Sequence, residues 1–168
     1  MSSIRLYFSN GSLCNTTISC DSLGIHYTVS KKSFTSPTVL TRWDSETNTN
    51  VFVGEFDRRP FKTHRIRIGE DGEWQVLTEF LHKGHGGALS KARSFEANNG
   101  IQYRWKMRNL TFVLTSAAEG DQEALIVYHQ NAFSKEPSYL EVLNSSVISG
   151  LNNILLTFLI MEKKRRED

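Results

Sequence analysis

The last segment of the chain restricts the fold more than any other. Between Val147 and Met161 the apolar residues Val147, Ile148, Leu151, Ile154, Leu155, Leu156, Phe158, Leu159, Ile160 and Met161 fall on nearly every side of a helix. A helix without a polar face has to be surrounded, by protein or by lipid. From Ser145 to Met161 it would span about 25 Å, short of the ~20 apolar residues a bilayer crossing needs. Ser149, Asn152, Asn153 and Thr157 also interrupt it. The expectation is therefore a helix over about 145–163, capped by Ser145 or Ser146, and buried in a protein core rather than anchored in a membrane.

The preceding residues supply the wrapping. Short strand-like runs separated by turn signals fill positions 4–143, and helical periodicity is nearly absent there. Ile4 to Phe8 reads as a first strand, with Asn10-Gly11 as a tight hairpin turn into a return strand over Leu13 to Ser19. Ile25 to Val29, Thr38 to Trp43, Val51 to Phe56, Thr63 to Ile68 and Glu73 to Thr78 continue the meander. Ile101 to Met107 is the clearest strand, with Ile101, Tyr103, Trp105 and Met107 on one face and Gln102, Arg104 and Lys106 on the other. Leu110 to Thr115, Ala124 to His129 and Tyr139 to Leu143 complete the set, and Gly84, Gly86 and Gly87 mark a loop. A chain of 168 residues suits one domain over 1–168. The predicted fold is mostly β, an antiparallel closed barrel wrapped around a buried hydrophobic C-terminal helix.

Four stretches, LYFSNGSLCNTTI, GIQYRWK, EALIVYH and LLTFLIMEKKRR, thread most of the chain. In these the sequence resembles a fungal, mainly basidiomycete, family of unknown function. It is similar more distantly to the tubby-like C-terminal superfamily, which includes LURP-one-related proteins and phospholipid scramblases. That resemblance implies a closed barrel around the terminal helix. Tubby domains grip phosphoinositide headgroups with basic side chains on the barrel exterior, whereas scramblases move lipids. An acidic calcium loop of the D-x-D-x-D-G kind is not found here.

Twenty Lys+Arg against 18 Asp+Glu leave a net charge of +2, too balanced for a nonspecific nucleic-acid binder, so any role for charge is local. One basic stretch holds Arg58, Arg59, Lys62, Arg65 and Arg67, and a second, on the clearest strand, holds Arg104, Lys106 and Arg108. Brought together, these guanidinium and ammonium groups would suit a phosphate. Outward charges also serve solubility and edge protection, and Asp44, Glu46, Glu55 and Asp57 could neutralise them. Lys163 to Arg166 follow the helix, where they complement its dipole or could be drawn to an anionic leaflet, with Glu162, Glu167 and Asp168 offsetting their charge.

The remaining motifs are weaker. His82 and His85 lie in HKGHGG and, with His64 or His129, could form a metal or acid–base site; with His129 and Glu79 they outline an alternative pocket. Their spacing, with no cysteine pair beside them, does not describe a metal site. GHGGALSK has Leu89 where a phosphate-binding loop requires glycine, and there is no G-x-S-x-G nucleophile elbow. Cys14 and Cys20 read as free thiols. The amino terminus has neither the basic nor the apolar region of a secretory signal, which makes the cytoplasm the expected compartment.

The function expected from these residues is a non-enzymatic binding module without a cofactor. It would recognise anionic phospholipid headgroups or a membrane surface, peripherally, through the strands Arg58 to Arg67 and Arg104 to Arg108. The alternatives are a small enzyme or small-molecule carrier with its pocket near the His82 to Gly87 loop, or a protein-interaction scaffold.

Overall fold

The computed structural model describes residues 3–58, 60–84, 90–118, 120, 122–131 and 134–168. Seven strands come first: β1 (Ile4–Phe8), β2 (Thr16–Cys20), β3 (Ile25–Ser30), β4 (Thr38–Asp44), β5 (Thr49–Asp57), β6 (Arg65–Ile68) and β7 (Gln75–Val76). A single helical turn, α1 (Leu77–Phe80), separates them from six more: β8 (His82–Lys83), β9 (Arg93–Glu96), β10 (Gln102–Arg108), β11 (Thr111–Ser116), β12 (Ile126–His129) and β13 (Tyr139–Val142). A 3₁₀ segment over Ser145–Gly150 leads into α2 (Leu151–Glu167).

All thirteen strands belong to one antiparallel sheet ordered β7-β6-β5-β4-β3-β2-β1-β13-β12-β11-β10-β9-β8. The two runs meet where β1 pairs with β13, Leu6 opposite Leu140. The predicted closed barrel does not form, because the end strands β7 and β8 are not paired with each other and α1 spans the interval between them. The reason is local. Leu77 N donates to His64 O in continuation of the β6/β7 register, and Leu81 N then donates to Leu77 O, so the backbone that would extend the predicted Glu73 to Thr78 strand curls into a turn past that point. Of the predicted glycine loop, Gly84 directly follows β8, which pairs with β9, His82 opposite Ser94, while Gly86 and Gly87 lie outside the described residues.

Two further expectations are corrected. The return strand of the first hairpin starts at Thr16 rather than Leu13, and Gly11 has no positive φ. Asn10 Oδ1 accepts from Ser12 N, and Ser12 Oγ accepts from Cys14 N and Asn15 N, so side chains shape a broad loop in place of a tight turn. The terminal helix is capped by Asn144, whose side chain accepts from Ser146 N, one residue before the expected serines. Its α-helical part runs four residues past the predicted end at 163. Cys14 and Cys20 are free thiols.

Helix α2 lies against the sheet and is buried along most of its first three turns, from Leu151 to Glu162. Phe158 packs on Phe8, Trp105 and Tyr128, which come from strands on both sides of the β1/β13 junction. At Gly54 the sheet and helix meet so closely that a Cβ would lie 2.7 Å from Leu156 Cδ2. Ser145–Glu167 is long and apolar enough to cross a membrane, yet its apolar surface is consumed by this packing. The last residues, from Lys163 onward, emerge from the sheet.

Candidate functional site

Antiparallel pairing sends alternate loops to opposite ends of the sheet. The loops after β1, β3, β5, β10 and β12 share the end at which α2 emerges. Arg166 Nη1 donates to Gly11 O at 2.7 Å in the loop after β1, and Lys31 N to Asn15 Oδ1 links that loop with the one after β3. Arg58 Nη1, just past β5, lies 2.8 Å from Glu167 Oε2. Arg165 Nη2 donates to Gln130 Oε1 past β12 at 2.9 Å, and it shares a cavity wall with Leu110, between β10 and β11.

The open interval between β7 and β8 reaches this end as a cavity of about 360 Å³. Its apolar wall is Val76, Leu77, Leu81, Ile160 and Met161, the last two belonging to the core helix. Arg58, Lys62, His64, Arg93 and Lys164 line the rest, and no carboxylate is among the described lining residues. A second cavity of about 230 Å³ adjoins it, sharing Arg93, Met161 and Lys164 and adding Lys91, Arg165 and the carboxylate of Asp168.

The electrostatics follow from crowding like charges at one rim. Burial pushes Lys164 below its ordinary pKa, with Arg93, Arg58 and Lys83 adding to the effect and Asp168 opposing it. Burial likewise lowers His64, helped by Arg58 and Lys164 and opposed by Glu167 and Asp57. Arg93 is held in place by Ser90 O at 3.0 Å and Ala92 O at 2.8 Å. Cations gathered over an apolar floor, with burial and neighbouring charge lowering the pKa of Lys164 and His64, make a site whose charge an anion would relieve.

The sequence-predicted residues are dispersed relative to this cavity. Arg58 and Lys62 line it. Arg65 pairs with Asp57 at 3.5 Å and stacks on Trp74, while Arg67 pairs with Glu55 at 3.2 Å and stacks on Phe52. Arg104 donates to Ala117 O and Arg108 to Gln122 O, and Lys106 stands on the same strand. Strands β6 and β10 are not neighbours, since β7, β8 and β9 lie between them in the order across the interval. Arg59 and His85 lie outside the described residues. In the alternative pocket Glu79 and His82 are exposed, and His129 lies on β12, separated from β8 by three strands. It pairs there with Glu141 at 3.1 Å and stacks on Tyr139. Among the described residues no group of three His, Cys, Asp or Glu is placed to hold a metal.

Arg93 was not among the residues singled out for binding, His64 was weighed only as a metal or acid–base partner, and Lys164 only within the cluster that follows the helix. Each is an unremarkable basic residue in its own segment, and only the topology brings the segments together. A groove of about 750 Å³ between the loops after β1 and β12 mixes Lys135 and Arg166 with Glu136 in its lining. It lacks the carboxylate-free excess of cations.

The model of a family of unknown function, DUF6593, matches residues 11–167. No curated protein and no solved structure matches the chain.

Proposed function

We propose that this chain, which belongs to the DUF6593 family, is a non-enzymatic binding module for a phosphate-bearing anionic headgroup. The observation that carries the reading is the convergence of Arg58, Lys62, His64, Arg93 and Lys164 on one cavity whose described lining has no carboxylate. Arginine and lysine together offer forked and point-charge donors to phosphate oxygens. The floor of Leu77, Leu81, Ile160 and Met161 would receive the carbon framework carrying the phosphate. The resemblance read from the sequence, to a superfamily in which tubby domains bind phosphoinositides and scramblases move lipids, is in keeping with this ligand class. The site proposed here is narrower than the two outward strands taken from sequence, and a cytoplasmic protein that visits membranes peripherally would meet such ligands.

The test is calorimetric titration of the protein with a soluble inositol trisphosphate at low and physiological salt. Lys62→Gln/Lys164→Gln should weaken binding by about tenfold or more, since two charge-assisted contacts are lost. Arg104→Gln/Lys106→Gln, on a strand outside the cavity, should leave it unchanged. Equal affinity in all three proteins, or no binding by the wild type, would remove the headgroup reading.

A further inference from the structure

The three most exposed large hydrophobic residues of the described chain are Phe34 at 83%, Leu110 at 90% and Phe61, fully exposed. They lie on three different loops, after β3, β10 and β5, and all three loops belong to the end at which α2 emerges. Two of them have strained backbones. Phe61 has φ +63 and Leu110 φ +66, a region that bulky side chains rarely enter. With Asn109 at φ +52, Leu110 completes a two-residue turn closed by the Arg108–Thr111 pair. Glycine is the residue such a turn favours at that position. An apolar side chain held out in water at a position suited to glycine points to a role for the side chain itself.

The same end carries most of the positive charge. The described residues of the loops at 9–15, 31–37, 58–64, 90–93, 109–110 and 130–138, with the tail 162–168, hold eleven Lys and Arg against four Asp and Glu. The whole chain holds 20 against 18. The near-neutral total therefore conceals a molecule with one strongly basic end, and one of the four acids, Glu162, is buried.

We propose that this end docks on an anionic lipid bilayer, with Phe34, Phe61 and Leu110 inserted among the headgroups and the cations of the same loops at the phosphate plane. The inference rests on the headgroup reading for its choice of an anionic partner and adds the surface that presents the ligand. Separate apolar tips set in a basic field fit a deformable partner with a charged face and an apolar interior. A protein interface would instead gather its apolar residues into one core depleted of lysine. Docked this way, the cavity between β7 and β8 would open toward the headgroups.

The experiment uses the full chain and vesicles of phosphatidylcholine, alone or with phosphatidylserine and phosphatidylinositol bisphosphate, at physiological salt. Phe34→Ser/Phe61→Asn/Leu110→Gly replaces the tips with residues their backbones accept, so its thermal midpoint should not fall. It should lower partition onto anionic vesicles by about tenfold or more while keeping wild-type affinity for soluble inositol trisphosphate. Phe61→Trp should be quenched by lipids brominated on the acyl chain. The native Trp43 lies at the opposite end, Trp74 is stacked on Arg65 and Trp105 is buried, so wild-type protein supplies the background. Wild-type vesicle binding by the triple variant, no vesicle binding by the wild type, or no quenching at position 61 would overturn the docking mode. Loss of vesicle binding in the triple variant without any soluble-headgroup binding would retain the docking mode and discard the cavity as a headgroup site.

Discussion

The indole Nε1 of Trp105, on β10, donates to Thr157 Oγ1 of the core helix at 2.9 Å, and both side chains are fully buried. The Thr157 hydroxyl is within hydrogen-bond distance of the Asn153 and Ile154 carbonyl oxygens at 2.9 and 3.0 Å, to one of which it donates, so one polar atom in an apolar stripe ties sheet to helix. Thr157→Val keeps the shape and leaves the indole N–H buried without an acceptor. The expected cost is about 1–3 kcal/mol, read as a lower urea midpoint at unchanged slope.

Gly54 permits a close approach of α2 to the sheet. An added Cβ would meet Leu156 Cδ2 at 2.7 Å and the Arg67 carbonyl oxygen at 2.8 Å. Gly54→Ala should destabilise by about 1–3 kcal/mol. Combining it with Leu156→Ala should recover only part of that loss in a double-mutant cycle, because the Arg67 oxygen is backbone and cannot be trimmed.

Glu162 is fully buried near the C-terminal end of α2, where Arg165 Nη2 lies at 2.6 Å and Arg166 Nε at 2.9 Å. Those arginines also reach Gln130 and Gly11, so the carboxylate organises the ends of two loops. Glu162→Ala leaves both guanidinium groups without their counter-charge. Their partial exposure places the expected loss near the lower end for buried pairs, about 3 kcal/mol, checked by chemical denaturation.

Acidification should weaken the fold and tighten the ligand through the same histidine. His64 is held below its ordinary value, first by burial and then by Arg58. Above about pH 6.5 folded and unfolded chains are both neutral at this residue. Below it the unfolded chain binds a proton that the folded chain does not, and stability falls until the folded pKa is passed. Glu141, lowered chiefly by the Ser3 hydroxyl and then by His129, also withdraws stability as pH falls, below its unfolded value near 4.5. His64→Gln should flatten the upper part of the stability profile. A bound phosphate would raise the His64 pKa, so inositol trisphosphate should bind more tightly as pH drops from 7.5 to about 6, with proton uptake visible as a buffer-dependent heat.

Chain order and face were legible where periodicity was strong. Tyr103 and Trp105 alternate with Gln102, Arg104 and Lys106, and the two aromatics are indeed the buried face of β10. The short elements were not legible. β7 and β8 have two residues each, too few for an alternation to register, and their pairing depends on neighbours distant in sequence. The site escaped for the same reason. Arg58, Lys62 and Lys164 stood out within two separate basic runs, whereas Arg93 acquires meaning only beside them, and only the topology joins the runs.

The sequence alone determined that the chain builds antiparallel β structure around a C-terminal helix, because a helix apolar on all sides has no stable place except inside something. Tertiary structure decided that the sheet would stay open, since the turn at Leu77–Phe80 removes from the ladder the backbone that closure needs. It also decided where the charge would gather. Antiparallel reversals return alternate loops to one end regardless of their distance along the chain, and that end is basic because its loops, each modestly charged, are summed in space.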